Sequence, residues 1–232
     1  MTPFVEAARQ IVVGLHHTRP GVLAHGSRDL IWRHHGLGML QAEFSENLRI
    51  HLWHPSLVNA GMAWPRCVHD HRFGITSAVV IGGVVDVLCA VREVPEHPSD
   101  MESFTRAPWV HIYEIEHAKN QDRMVTEKGC STATSAKRLA RAYVDVQSQV
   151  RHRAGQQYRV SRRDFHTTRV EALAITVIHR SNFDDRLARV LCAQDKDVTA
   201  ISGIVRDETP EHASLVESVV HEAAFAIAGL GA

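Results

Sequence analysis

The sequence predicts an all-β fold, a closed or double-sheet barrel with one α-helix at each end of the chain. Two patterns carry this reading. Short runs in which apolar and polar residues alternate recur between clusters of glycine, proline, serine and asparagine, the period of two expected of half-buried strands. At each end a Thr-Pro pair, Thr2-Pro3 and Thr209-Pro210, precedes an apolar repeat of helical spacing, a capping residue followed by a proline suited to the first turn. No unit repeats at a fixed period.

The bulk numbers narrow the class. A chain of 232 residues with 44% hydrophobic and 22% charged residues can bury a sizeable core as a single domain. Lys+Arg and Asp+Glu both number 26, so no basic excess argues for nucleic acid or an anionic membrane as partner. Cys67, Cys89, Cys130 and Cys192 are scattered without a Cys-x-x-Cys pair, which disfavours a thiolate zinc knuckle and a disulfide scaffold and fits a reducing cytoplasm. No basic-then-apolar leader begins the chain, and no apolar run approaches the roughly 20 residues of a membrane span.

In order, Phe4, Ala8, Ile11 and Leu15 recur on one helical face, predicting a helix over about 3–15 that Pro20-Gly21 interrupts. Ser27 is placed to cap a second short helix carrying Leu30, Ile31 and Trp32 and exposing His34-His35, which closes an N-terminal helical segment 1–37. Met39–Phe44 and Leu48–His54 read as a hairpin, with Gly61–Pro65 as a loop after it. Cys67–Phe73 reads as a strand, and Ser77–Ile81 and Val84–Val91 as a pair around Gly82-Gly83. The polar stretch 93–104 is predicted to be loop, Trp109–Ile115 a strand, and 120–136 a stretch without assignable structure. Strands follow at Tyr143–Val150, Tyr158–Val160, Leu173–His179 and Leu187–Cys192, and a helix at about 210–229. Trp53 reads as core.

The chemistry gathers around His69-Asp70-His71. On a strand, residues two apart share a face, so His69 and His71 lie side by side and Asp70 turns away, as a supporting or surface group. His166, after the Tyr158–Val160 run, is the third imidazole that completes a metal site. Three neutral imidazoles suit a borderline ion such as Fe, Zn, Ni or Cu. In a chain with 17 histidines, three unrelated strand histidines are the competing reading. Cys67 shares the His69 face and reads as a buried small residue or an added ligand. His179 reads as a rim or core residue. Arg162, Arg163 and Arg169 cluster near His166 as a solvated basic edge or, with Tyr158, as a substrate-binding group, because guanidinium grips carboxylate or phosphate bidentately.

Residues 61–88 and 155–179 resemble the two halves of a cupin motif. Gly61, His69, His71 and Gly83 take the places of the Gly-led loop, the His-x-His pair and the strand-ending glycine. Ser161, Arg163 and His166 stand where that family has proline, glycine and histidine. The first half is also similar to cysteine dioxygenase-type cupins, in which three histidines hold a ferrous ion without a glutamate ligand. The glutamate position falls near Ile75-Thr76 here, and neither can bind a metal as an anion. The resemblance implies an all-β, cupin-type double-stranded β-helix (jelly-roll barrel) with flanking N- and C-terminal α-helices. The barrel would span about 38–204 with an insertion at about 93–136.

It also implies a cytoplasmic metal-dependent oxygenase, with Fe(II) on His69, His71 and His166 activating O2 to oxidise a small anionic or chelating metabolite. The alternatives are a non-redox isomerase, epimerase or hydrolase using Zn, Mn or Ni, or a non-catalytic small-molecule-binding barrel. Cupins commonly pair through edge strands, so a homodimer is expected, with the N-terminal hairpin or a terminal helix at its interface.

Overall fold

The computed structural model describes residues 1–35, 37–58, 68–94, 110–116, 135–193 and 209–231. Within them the chain is mostly strand, with helix α1 (Pro3–Val13) near the start and α2 (Pro210–Ala228) near the end. Both helices begin as the Thr-Pro pairs predict: the Thr2 hydroxyl accepts from the Val5 amide and the Thr209 hydroxyl from the His212 amide. The loop Gly61–Pro65, Cys67, Cys130 and most of 93–136 lie outside the described residues.

Between the helices run β1 (Leu15–Arg19), β2 (Val22–His25), β3 (Arg28–Asp29), β4 (Arg33–His35), β5 (Met39–Glu43) and β6 (Leu48–Trp53). They continue with β7 (Gly74–Ile81), β8 (Gly83–Val94), β9 (Val110–Glu116), β10 (Ser135–Arg153), β11 (Gln157–Val160), β12 (Phe165–Arg169), β13 (Ala174–Ser181) and β14 (Ala188–Ala193). The second helix expected after Ser27 does not form. Pro20-Gly21 turns β1 into β2, with Gly21 at φ 72°, and the chain then makes the short strands β3 and β4. Leu30-Ile31-Trp32 is apolar but too short to show a period, and its segment gains backbone partners from β2 and β5 instead. His34, expected on an exposed helix surface, is buried as a result.

One sheet has the order β11-β7-β13-β6-β5-β4. Strand alternation sends Leu40, Ala42, Ile50, Leu52, Ala78, Val80, Ile175 and Val177 to one face, where they pack on Val5, Ala8 and Val12 of α1 and Val219, Val220, Ala223 and Ile227 of α2. The opposite face carries His35, Gln41, Arg49, His51, Trp53, Ser77, Val79, Tyr158 and Thr176, as the registers require.

A second sheet has the order β12-β8-β10-β9-β14. It curls until its outer strands are joined by Val68–Asp70. His69 exchanges amide bonds with His166 of β12, at 3.0 and 2.9 Å, and the Asp70 and Leu191 amides bridge to β14 at 2.9 and 3.0 Å. One face of every strand meets in a cluster of Val68, Val87, Cys89, Val110, Ile112, Ala142, Phe165 and Leu191. Cys67–Phe73 is therefore not the regular strand expected of it. Pairing occurs around His69, and the chain leaves the sheet before β7 begins.

β7 and β8 do not pair with each other, contrary to the hairpin expected at Gly82-Gly83. The chain bends there from one sheet into the other. β10 passing into β11 and β12 passing into β13 make the same crossing alongside, each paired to β8 below the bend and to β7 above it. Gly82 is what the bend requires: it sits at φ 68°, and a Cβ on it would fall 2.3 Å from the Leu173 carbonyl oxygen.

Candidate metal centre

The three histidines converge in the cleft between the sheets. On β12, Phe165 and Thr167 face the apolar interior of the curl, so His166 faces the other way. Val68 likewise faces inward and His69 outward, and the backbone bridge between His69 and His166 sets their rings 4.8 Å apart. His71 follows two residues later, where the chain crosses toward β7, and its ring stacks on Phe73 at 5.1 Å. The Nε2 atoms of His69 and His71 are 3.1 Å apart, as are those of His71 and His166. Among the described residues these form the group of three ligand-type side chains whose donor atoms lie within 4.8 Å of one another.

Proton bookkeeping makes this arrangement informative. The Asp86 carboxylate lies 2.9 Å from His166 Nδ1 and accepts its proton, so in the neutral ring Nε2 carries a lone pair. His71 Nε2 then faces two imidazole nitrogens and has at most one proton to donate to either. Burial first, and then the neighbouring charges of His69 and His166, hold the His71 pKa well below the usual histidine range. A cluster with surplus lone pairs is what a cation completes. His71 Nε2 lies 3.1 Å from each of the other two, within the roughly 3.0–3.4 Å expected between neighbouring nitrogens bound to one ion at about 2.1 Å.

Asp70 turns away from the centre, as expected, and is buried. Its carboxylate accepts from the Arg189 amide at 2.6 Å and from Arg189 Nε at 2.7 Å, with Arg163 Nη1 at 3.7 Å. The Arg163 amide donates to the His71 carbonyl at 3.2 Å. Asp70 thus pins the segment carrying both its histidine neighbours to β14 and to the turn before β12.

The other candidates are placed as follows. Arg163, in the glycine position of the resemblance, adopts φ 73°, the left-handed region a glycine would favour. Its guanidinium is engaged by Asp184 at 3.3 Å and by the Leu187 carbonyl at 2.5 Å. Arg162 reaches the Asn182 carbonyl at 3.4 Å, and Arg169 lies exposed on the β12 face opposite His166. Tyr158 is on the cleft face, stacked on His152 at 4.3 Å. Burial pushes its phenol up to about 12, against the hydrogen-bonding influence of Ser77 and Thr168. His179 is on the helix-covered face, edge-on to Phe4 of α1 at 6.5 Å, and is not brought to the centre.

Asp86 and His51 were missed in the sequence. A single carboxylate in the apolar run Val84–Val91 was the signal for Asp86. His51 looked like the polar side of an alternating strand, yet Trp53 shares its face, which marks that face as buried too. No protein-family model matches the chain, and a search of curated proteins returns no match.

Proposed function

We propose that the chain is a cupin-type, metal-dependent oxygenase that holds Fe(II) on His69, His71 and His166 and oxidises a small anionic or chelating metabolite with O2. The observation that carries this is the convergence of three imidazole Nε2 atoms, with His166 oriented through its other nitrogen by Asp86. A bound Fe(II) supplies the electrons that activate O2, chemistry no side chain here offers. The chain's own residues supply the rest. Asp86 holds His166 in the tautomer that leaves Nε2 free. Asp70, through Arg189, fixes the His69–His71 segment. Phe73 stacks on the His71 ring and packs in turn against Phe183, 5.4 Å away. Three uncharged ligands leave the full charge of the ion to attract an anion. The jelly-roll assignment is supported by two apposed sheets joined through bent strands, with the histidines between them.

The test is metal analysis by mass spectrometry of protein purified without added metal, followed by Fe(II) and Co(II) titration and O2-electrode measurements with small hydroxy and keto acids. Stoichiometric metal and substrate-dependent O2 uptake are expected. Protein that takes up neither ion would overturn the metal centre. Turnover that proceeds under anaerobic conditions would move the assignment to a non-redox isomerase or hydrolase.

A further inference from the structure

His51 stands at the middle of the cleft face of the six-stranded sheet. It is 7% exposed, yet among the described residues neither ring nitrogen has a hydrogen-bond partner. A buried polar group in that condition destabilises a fold and calls for an explanation. None of the described neighbours satisfies it. Thr176 is directly opposite on β13, but its hydroxyl accepts the Trp53 indole N–H at 3.0 Å. Arg49 and Arg180 bring positive charge to bear on the ring, while Arg49 Nη2 donates to Glu43 at 2.8 Å and Arg180 Nη2 to the Glu46 carbonyl. Gln41, opposite on β5, is half-buried on the same face. The registers put His51 on the sheet face turned away from the helices, the side on which the three-histidine centre is built.

We propose that His51 is a ligand-binding residue, whose uncharged imidazole donates from one nitrogen and accepts at the other to a small molecule seated on the three-histidine centre. The molecule it selects carries a hydroxyl beside a carbonyl or carboxylate. A neutral imidazole offers one donor and one acceptor, and such a molecule matches both. A simple carboxylate has only acceptors and satisfies one nitrogen. The two nearby arginines favour an anion over a cation. The inference rests on the metal reading above, since the ion is the second anchor for the same molecule.

The experiment uses Co(II)-loaded protein and follows its visible spectrum during titration with glycolate and, separately, acetate, for wild type, His51→Leu and His51→Gln. Co(II) affinity is expected to agree within about threefold among the three proteins. Glycolate binding is expected to weaken about tenfold or more in His51→Leu, with part restored in His51→Gln, whose amide keeps a donor and an acceptor. Acetate should distinguish the proteins less. The midpoint of thermal unfolding of metal-free His51→Leu should rise by about 2–6 °C, because a buried unsatisfied ring has been removed. Equal glycolate binding in wild type and His51→Leu, with Co(II) bound to both, overturns this proposal alone. A lowered midpoint together with weakened Co(II) binding also overturns it, by making the ring structural. Failure of the wild type to take up Co(II) removes the centre and this proposal with it.

Discussion

The two faces of the six-stranded sheet each bury a histidine, and the two are treated in opposite ways. His34, 8% exposed, lies toward the helices with both ring nitrogens used: Nε2–H donates to the Leu57 carbonyl at 2.9 Å and Nδ1 accepts from His212 of α2 at 2.8 Å. His51, at nearly the same burial on the cleft side, has neither nitrogen used among the described residues. Burial therefore does not distinguish these two histidines, whereas their hydrogen bonds do. On the helix-covered face His34 is satisfied. The cleft face holds unspent hydrogen-bonding capacity beside three imidazoles with surplus lone pairs.

The sharpest way to break this contrast is at the centre itself. His71→Ala and His166→Ala are expected to lose at least about 100-fold in Co(II) affinity, and Asp86→Asn about 10–100-fold, measured by calorimetric titration. His179→Ala and His54→Ala, on the helix side and at its rim, should bind as the wild type does. Equal loss at His179 would mean that the two faces do not differ in the way described.

Next in size is Gly82→Ala, which strikes the bend that sets the faces of the two sheets against each other. A Cβ there meets the Leu173 carbonyl oxygen at 2.3 Å in a left-handed backbone, and a loss of about 2–4 kcal/mol is expected in chemical denaturation. A neutral result would show that the neighbouring crossings yield readily.

His34→Ala should cost about 1–3 kcal/mol by the same measurement, since it strands the Leu57 carbonyl and the His212 ring, while His51→Leu should cost nothing.

Within any one pH unit the smallest effect is the dependence on pH. Burial first, then Arg49 and Arg180, lower His51 to about 3, so between roughly pH 6.5 and 3 the unfolded chain binds a proton there that the folded chain does not. Stability is then lost as pH falls through that window, by at most about 1.4 kcal/mol per unit from this residue. His51→Leu should flatten the slope in denaturation curves taken across it.

Much of the fold was legible in the sequence because its cues are local. The Thr-Pro caps, the alternation in Leu48–Trp53 and the apolar run Leu173–His179 mark α1, α2, β6 and β13 directly. The errors arose where distant residues decide. Val84–Val91 looked like the partner of Ser77–Ile81, but β10 and β12 take its hydrogen bonds, and no nearby residue announces this. Leu30-Ile31-Trp32 lost its expected helix to short strands whose pairing depends on β2 and β5. At the site, the spacing of His69 and His71 was readable, and His166 was the only distant imidazole that resemblance could single out. Asp86 and His51 acquire their meaning from registers across strands, which a linear pattern does not contain.

The curl in the second sheet has a seam only three residues long, Val68–Asp70, and the seam is where the centre is built. His69 is in it, His166 is its direct partner, and His71 leaves it at once. An ion gripping all three would act as a clasp, joining residues 95 apart in sequence and closing the sheet's open side in the same act. Metal occupancy and the integrity of the curl then become one equilibrium. Withdrawing such an ion would loosen a wall of the molecule as well as empty a site, and the amides of His69, Asp70, His166 and Leu191 are the first that should feel it.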